Sequence, residues 1–264
     1  MKIIDTHCHA SRIWYEPLDG LLHQMDQNQV EQAVLIQIFN EYNNAYNFEC
    51  VRQHPDRLCL VVLVDVKRST AVDELERLAE QGAKGVRLRA DWRSPGDDPL
   101  AIWRAASKLG LPVSCMGTRA EFAASEFAEL VQSLPDLPII IEHLGSGSQL
   151  DGESAPYPIR QQVFDLARFP NVSIKVPGLG EFCERAIPLD LEFPFERANL
   201  QLLDRAYAAF GPDRMMWGSD YPPVSNREGY RNALHYPLNY FSTHHTADCP
   251  AIFGSTAARA YGLQ

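Results

Sequence analysis

The chain has 264 residues, of which 45% are hydrophobic, and its net charge at pH 7 is −10. This length suffices to bury a large core, and a closed barrel of alternating strands and helices needs about 250 residues. The acidic balance, with no basic stretch to neutralise phosphates, argues against nucleic-acid binding. No apolar run reaches the roughly 20 residues that span a bilayer. The six cysteines are scattered without Cys-x-x-Cys spacing, which predicts a reduced, cytoplasmic protein.

Short apolar runs rich in Val, Ile and Leu predict eight β-strands. In chain order these are Lys2–Thr6, Ala33–Ile38, Leu58–Val64, Gly85–Leu88, Pro112–Met116, Pro138–Glu142, Val172–Val176 and Arg214–Trp217. Amphipathic stretches between them predict helices over Leu18–Gln29, Ala71–Gln81, Pro99–Leu109, Ala120–Leu134, Ile159–Phe169 and Leu200–Phe210. Strand followed by helix in this way is the pattern of an α/β fold closed into a (β/α)₈ TIM barrel.

The domain organisation predicted from this series is a single domain over residues 1–264, because no linker or change of composition interrupts it. The alternative is an open, doubly wound sheet. That fold carries Gly-x-Gly-x-x-Gly after its first strand, and this chain has no such segment there.

The strand ends are the residues to examine, because the active site of a barrel lies at the carboxyl ends of its strands. The first strand closes with His7 and His9, whose side chains at i and i+2 point to one face. His143 directly follows the sixth apolar run, and Asp220 follows the eighth. Singly, such residues are explained as a core histidine or a helix N-cap. Four of them at three strand ends indicate a catalytic site.

Five segments resemble the amidohydrolase superfamily, within it the amidohydrolase-related branch that includes hydrolases of sugar lactones, pyrone dicarboxylate and muconolactones. They are Asp-Thr-His-x-His at the start, Ile-Glu-His-Leu-Gly, Asn-Val-Ser-Ile-Lys, Met-Trp-Gly-Ser-Asp-Tyr-Pro and the closing Ile-Phe-Gly-Ser-Thr-Ala-Ala-Arg-Ala-Tyr-Gly. The resemblance implies a distorted (β/α)₈ barrel with His7 and His9 after strand one, His143 after strand six and Asp220 after strand eight.

The resemblance also implies a metal in some members, bound by His-x-His and the last aspartate. Here the fifth strand ends in Ser-Cys115-Met-Gly without a histidine, so we do not expect a two-metal site bridged by a carbamylated lysine. His7, His9 and Asp220 could hold one zinc ion, with Cys115 or His143 completing a tetrahedron. Other members of the branch hydrolyse without metal. We therefore expect either no tightly bound cofactor or one divalent ion, with zinc the first choice.

A mechanism follows from these residue types, because lactone hydrolysis needs a base for water and a donor for the developing oxyanion. We assign Asp220 as the base, and His143, supported by His7 and His9, as the group that polarises the carbonyl. Predicted substrate-binding residues lie at other strand ends: Arg87, Arg89, Met116, Lys175 and Tyr221.

The paired arginines of the fourth strand suit a substrate carboxylate, since a guanidinium binds it with two hydrogen bonds. An alternative is that one arginine pairs with Asp91 or Glu142 as part of the scaffold. Lys175 could instead lie on the outer face of its strand. Tyr221 could instead serve only for packing.

The sequence therefore predicts a hydrolase of a small lactone, carboxylated or sugar-derived. A second hypothesis is a metal-dependent nonoxidative decarboxylase of an aromatic or muconate-type acid, whose middle-strand histidine would be replaced here by Cys115-Met116. A third, an inactive barrel that only binds ligands, predicts loss of the histidines and aspartate, which are all present. The expected partner is a small molecule, with neither nucleic acid nor membrane, and a homo-oligomer remains open.

Overall fold

The computed structural model describes residues 1–145 and 153–264, and its centre is a barrel of eight parallel strands. Each strand pairs with the next in sequence order. The strands are β1 (Ile4–Cys8), β2 (Gln32–Ile36), β3 (Leu58–Val62), β4 (Gly85–Arg89), β5 (Val113–Met116), β6 (Ile139–Ile141), β7 (Val172–Val176) and β8 (Met215–Trp217). The predicted (β/α)₈ fold is confirmed.

The barrel closes between β8 and β1 through contacts of the segment just after β8 with the end of β1 and with His9, which follows it. The amide of Asp220 donates to the carbonyl oxygen of His7, and the amide of His9 donates to that of Tyr221, both at 2.8 Å. A parallel bridge joins Cys8 to Tyr221. The seam is therefore made by the same segments that carry three of the predicted catalytic residues.

Ten α-helices lie in the described part of the chain. They are α1 (Leu18–Gln27), α2 (Ala45–Gln53), α3 (Ala71–Glu80), α4 (Ala101–Lys108), α5 (Arg119–Ala123), α6 (Ser125–Ser133), α7 (Pro158–Phe164), α8 (Gln201–Phe210), α9 (Tyr230–His244) and α10 (Thr256–Tyr261). Within residues 1–145 and 153–264, none of these helices has both the length and the apolar character needed to cross a membrane.

The helix predictions differ from the structure in two ways. The single helix predicted over Ala120–Leu134 is two helices, because Ala124 between them is extended (φ −66°, ψ 142°). Thr118 begins the first of the pair with a capping box, in which its hydroxyl accepts from the Glu121 amide. Helices α2, α9 and α10 have no counterpart among the predicted helices, and α9 carries Pro237 in its interior, a residue that argues against a helix in the sequence.

The barrel interior is filled by a small apolar cluster that lies below the predicted catalytic residues. Its strand residues are Ile4, Val34, Ile36, Cys59, Val61, Ile140 and Met216. Ala257 and Tyr261 of α10 join this cluster, so the last helix plugs the amino-terminal end of the barrel. The larger core lies between the outer faces of the strands and the surrounding helices. The carboxyl-terminal end of the barrel remains for the site.

Gly254, just before α10, allows the plug to approach the first strand. A Cβ at this position would lie 2.3 Å from the backbone oxygen of Lys2. We therefore expect Gly254→Ala to lower the free energy of unfolding by about 1–3 kcal/mol, the usual cost of overpacking. Urea denaturation measures this, with the exposed neighbour Ser255→Ala as the control, expected within about 0.5 kcal/mol of the wild type. Equal midpoints for the two variants would contradict the close approach.

Candidate active site

The two histidines of the first strand are buried side by side at the barrel mouth. Their ring centroids are 5.0 Å apart, with the rings nearly perpendicular. Nδ1 of His9 lies 2.7 Å from the carbonyl oxygen of Ile36. A carbonyl only accepts, so this nitrogen carries a proton and donates. The hydrogen bond fixes the ring and turns Nε2 of His9 toward Asp220, whose Oδ1 is 3.6 Å away.

His143 and Asp220 complete the cluster around the first-strand histidines. Oδ1 of Asp220 lies 3.9 Å from Nε2 of His7, and the ring centroids of His7 and His143 are 4.3 Å apart. The backbones of His143 (φ 50°) and Asp220 (φ 56°) are left-handed, a conformation that strains residues other than glycine. The structure thus brings together all four predicted catalytic residues, two of them on strained backbone.

Asp5 organises this seam from below and was not among the predicted site residues. Its carboxylate accepts from the amide (2.9 Å) and hydroxyl (2.6 Å) of Ser219 and from the amide of His7 (3.1 Å). Burial raises the pKa of Asp5, and the bonds to Ser219 and His7 oppose that rise. Asp5 therefore positions the residues that directly precede Asp220.

A second missed group, Glu181 and Arg227, surrounds His143 and Asp220. Oε1 of Glu181 lies 3.2 Å from Nδ1 of His143, and its Oε2 lies 3.2 Å from Nη2 of Arg227. The same guanidinium nitrogen is 3.5 Å from Oδ2 of Asp220. Glu181 is buried on a short 3₁₀ turn after β7. Sequence alone gave no signal for these two residues, because neither closes a strand.

Lys175 lies beneath His7 and is almost inaccessible to solvent, with 1% of its surface exposed. Its Nζ is 3.1 Å from Nδ1 of His7 and donates to Oγ of Ser114 at 2.8 Å. Ser114 in turn donates to Glu142 at 2.7 Å. Burial lowers the pKa of Lys175 to about 8, against the opposing effect of the Glu142 charge. Lys175 thus faces the barrel interior and not the outer strand face.

Burial and the charges of this cluster move the pKa values of His7, His143 and Asp220 apart. Burial, and next the charge of Lys175, hold the pKa of His7 well below its usual value. Burial tends to lower the pKa of His143, but the charge of the Glu181 carboxylate has the larger effect together with its hydrogen bond, and the pKa is raised. For Asp220, burial favours the neutral acid, and the bond to His9 with the charge of His143 reverses this and lowers the pKa. The site therefore favours an ionised Asp220, a neutral His7 and a protonated His143.

The charged form of His143 can be tested at Glu181. We expect Glu181→Gln to lower the pKa of His143, because the variant removes the strongest of the groups that raise it. Since folding raises this pKa, the group stabilises the fold below the unfolded value of 6.5, and the contribution is lost as the pH rises through the folded value. NMR titration of the His143 ring measures the shift. An unchanged or higher pKa in the variant would refute the pairing.

The two arginines of β4 are both paired within the protein. Arg87 donates from Nη2 and Nε to the two oxygens of Glu142, at 2.8 and 3.1 Å. Arg89 pairs with Asp91 at 3.0 Å and with Glu121. These contacts correspond to the scaffold alternative considered from the sequence, and they leave binding of a substrate carboxylate by either arginine without structural support.

Two further predicted substrate-binding residues have different surroundings. Tyr221 is buried, its ring centroid is 5.7 Å from that of Tyr230, and its hydroxyl approaches Gly20 of α1. This is the packing alternative. Met116 is half-buried at the end of β5, two residues after Ser114 and hence on the same strand face. Its role at the mouth stays a prediction.

A metal-type donor set exists among residues 1–145 and 153–264, formed by His7, His143 and Asp220, with donor atoms all within 4.8 Å of one another. Nε2 of His7 is buried without a hydrogen-bond partner in the described chain. Two imidazoles and one carboxylate suit zinc. The set predicted from the sequence, His7, His9 and Asp220, stays a prediction beside this one. Cys115 packs in the core outside the barrel, because it alternates with the inward-facing Ser114.

Comparison with known proteins decides the family. The family model described as amidohydrolase matches residues 4–263. The chain belongs to the amidohydrolase family. It is 26% identical over 211 residues to 4-sulfomuconolactone hydrolase of Rhizobium radiobacter, covering 78% of this chain and 66% of that one. It is 30% identical over 129 residues to L-fucono-1,5-lactonase of Burkholderia multivorans, covering 47% and 43%. The chain therefore spans two thirds or less of these relatives.

Solved structures show the same fold at lower identity. An amidohydrolase from Burkholderia multivorans with bound zinc has a TM-score of 0.80 at 21% identity, with 100% of both chains covered. A probable 2-pyrone-4,6-dicarboxylic acid hydrolase from Acinetobacter baumannii has a TM-score of 0.75 at 20% identity, covering 99% of this chain and 100% of that one. A dihydroxybenzoic acid decarboxylase from Polaromonas with bound manganese has 0.69 at 14%, covering 99% and 97%.

Proposed function

We propose that this amidohydrolase hydrolyses a small lactone, with Asp220 as the general base. The observation that supports this best is the contact of one half-buried carboxylate with two imidazoles at the mouth of the barrel, with Asp220 Oδ1 lying 3.9 Å from His7 and 3.6 Å from His9. Two curated relatives are named as lactone hydrolases, which supports the same reaction class.

The reaction uses these groups in a fixed order. Asp220 takes a proton from a water molecule whose oxygen attacks the lactone carbonyl carbon. The developing oxyanion is stabilised by donors, for which His7 and the protonated His143 are in place. The ring C–O bond then breaks, and the proton held by Asp220 or His143 passes to the leaving alkoxide. The net change is lactone plus water to hydroxy acid.

A divalent ion would be held by His7, His143 and Asp220, the group with suitable donor spacing. Bound there, it would supply a Lewis acid for the carbonyl and a more acidic water. The residues fit such an ion, and the roles of Asp220 as proton acceptor and of Glu181 as the partner of His143 are the same with or without it.

The acidic group of the substrate is better sought beyond the β4 arginines, both of which are neutralised by carboxylates. Arg227 is also paired, with Glu181 at 3.2 Å, but unlike the β4 arginines it contacts the proposed base directly, at 3.5 Å from Oδ2 of Asp220. We therefore favour a substrate whose acidic group lies on the side of the segments that follow β7 and β8.

The decisive experiment is a paired assay of lactones and aromatic acids. Ring opening of sugar lactones and carboxylated lactones is followed by acid release, and decarboxylation of hydroxybenzoic acids by loss of absorbance. Both are measured on chelator-treated protein and again with added zinc or manganese. Lactone hydrolysis under either condition supports the proposal. Decarboxylation without hydrolysis would replace it with the decarboxylase hypothesis.

A further inference from the structure

Lys175 is held inside the barrel between His7 and Ser114. Only 1% of its surface is exposed, and its ammonium contacts His7 and Ser114. A buried ammonium needs hydrogen-bond acceptors, because it has three donors and no acceptor of its own. The atoms that accept hydrogen bonds from this ammonium therefore determine the position of Lys175.

The directions of the hydrogen bonds follow from the carboxylate at the end of the chain of contacts. Arg87 donates two hydrogen bonds to Glu142, whose ionised carboxylate can only accept hydrogen bonds. Ser114, at 2.7 Å, therefore donates its one proton to Glu142. Its oxygen is then left to accept from Lys175 at 2.8 Å. Lys175 thus donates to Ser114 and Ser114 donates to Glu142, while Arg87 donates to Glu142 directly.

The same reasoning fixes the protonation of the His7 ring. Nδ1 lies 3.1 Å from the ammonium, so it accepts from Lys175. A neutral imidazole that accepts at Nδ1 carries its proton on Nε2. Nε2 is the buried atom with no partner in the described chain, and it faces Oδ1 of Asp220.

We propose that Lys175 is a positioning residue that holds His7 in the Nε2–H form, so that this N–H is aimed at the reacting carbonyl. The role in catalysis rests on the proposed lactone hydrolysis, whereas the ring state does not. Two consequences follow for a divalent cation. An ion that binds His7 must displace the proton on Nε2, and the ammonium behind the ring repels the ion. Lys175 thus weakens metal binding at His7 but leaves the donor set in place.

The ring state is read directly by NMR of protein labelled with ¹⁵N-histidine, in chelator at neutral pH. We expect the His7 signals of the wild type to show the Nε2–H form. Lys175→Met should release Nδ1 and give a mixture or the Nδ1–H form. Lys84→Met is the matched control, an exposed lysine just before β4 that should leave the ring unchanged. A wild-type Nδ1–H ring, or one that is the same in folded Lys175→Met, would overturn the proposal.

Zinc affinity gives a second readout that needs no substrate. Removal of the buried charge should tighten zinc binding at least about tenfold relative to the wild type, as measured by competition with a chelating dye. Lys84→Met should bind zinc like the wild type. Equal affinities in the wild type and Lys175→Met would contradict the effect of the ammonium.

Kinetics separates positioning from a merely structural role. With the protein folded, we expect Lys175→Met to lower kcat about 10–100-fold with KM unchanged, the range typical of groups that orient a reacting residue. If Lys175→Met does not fold, Ser114→Ala removes the acceptor that holds Lys175, and the ring state is examined there. Should no lactone be hydrolysed at all, the proposed function fails, while the NMR and zinc measurements still decide the role of Lys175.

Discussion

Asp220→Asn is expected to lower kcat for lactone hydrolysis about a hundredfold or more while leaving the fold intact, because a general base contributes that much and an amide is nearly isosteric with the carboxylate. The amide keeps the size of the side chain beside His7 and His9 but cannot take a proton from water. Steady-state kinetics on the lactone found in the paired assay measures the effect.

The matched control is another carboxylate at a strand end. Asp65 follows β3 and contacts the exposed Arg68 at 3.4 Å, away from the histidines. Asp65→Asn should therefore retain wild-type kinetics. If Asp220→Asn loses only a few-fold in kcat, the assignment of the base is wrong.

The pH dependence of the wild type follows from the same residue. Folding lowers the pKa of Asp220 below its ordinary value of 3.8, with the bond to His9 and the charge of His143 overcoming burial. The base is ionised above that pKa and is lost as the pH falls through it. We therefore expect kcat/KM, measured as a function of pH, to fall on the acid side because Asp220 becomes protonated. The midpoint of that fall should lie below pH 3.8.

The fold could be predicted because its evidence is local and repeated along the chain. Each strand of a barrel buried on both faces is a short apolar run, and most connections from a helix to the next strand contain Gly or Pro. The errors occurred where local signals conflict with packing. Helix α9 carries an interior proline, and the chain between α5 and α6 turns at an ordinary alanine, Ala124.

Part of the site could be predicted for a geometrical reason. The carboxyl ends of all the strands meet at one edge, so polar residues that end strands are brought together whatever their distance in sequence. Glu181 and Arg227 lie on connecting segments, and only the folded chain places them beside His143 and Asp220. The pairing of a β4 arginine with Asp91 or Glu142 was one of the alternatives from the sequence, and only the folded chain shows that Glu142, 55 residues away, is the partner of Arg87.

That pairing predicts the largest stability effect in the protein. Arg87→Met should lower the free energy of unfolding by about 3–5 kcal/mol, since removal of one partner leaves the Glu142 charge buried and uncompensated. Both side chains are under a tenth exposed, so solvent screens the pair little. Urea denaturation at pH 7 measures the loss.

The control lies two residues along the same strand. Arg89 is 22% exposed, and its partners Glu121 and Asp91 are 23% and 53% exposed, so water screens these pairs much more than it screens Arg87 and Glu142. Arg89→Met should cost about 0–1 kcal/mol. Equal losses for the two variants would mean that burial of the Glu142 charge is not the cause.

The difference between Arg87→Met and the wild type should also depend on pH. Burial tends to raise the pKa of Glu142, but Arg87 and then Lys175 lower it from 4.5 to about 2. The ionised carboxylate therefore stabilises the wild type fully above pH 4.5, and this contribution is lost as the pH falls toward 2. The difference in free energy of unfolding between the two proteins should be largest at neutral pH and should decrease as the pH falls from 4.5 to about 2. A fully stable Arg87→Met with a raised KM for carboxylated lactones alone would instead show that Arg87 binds the substrate.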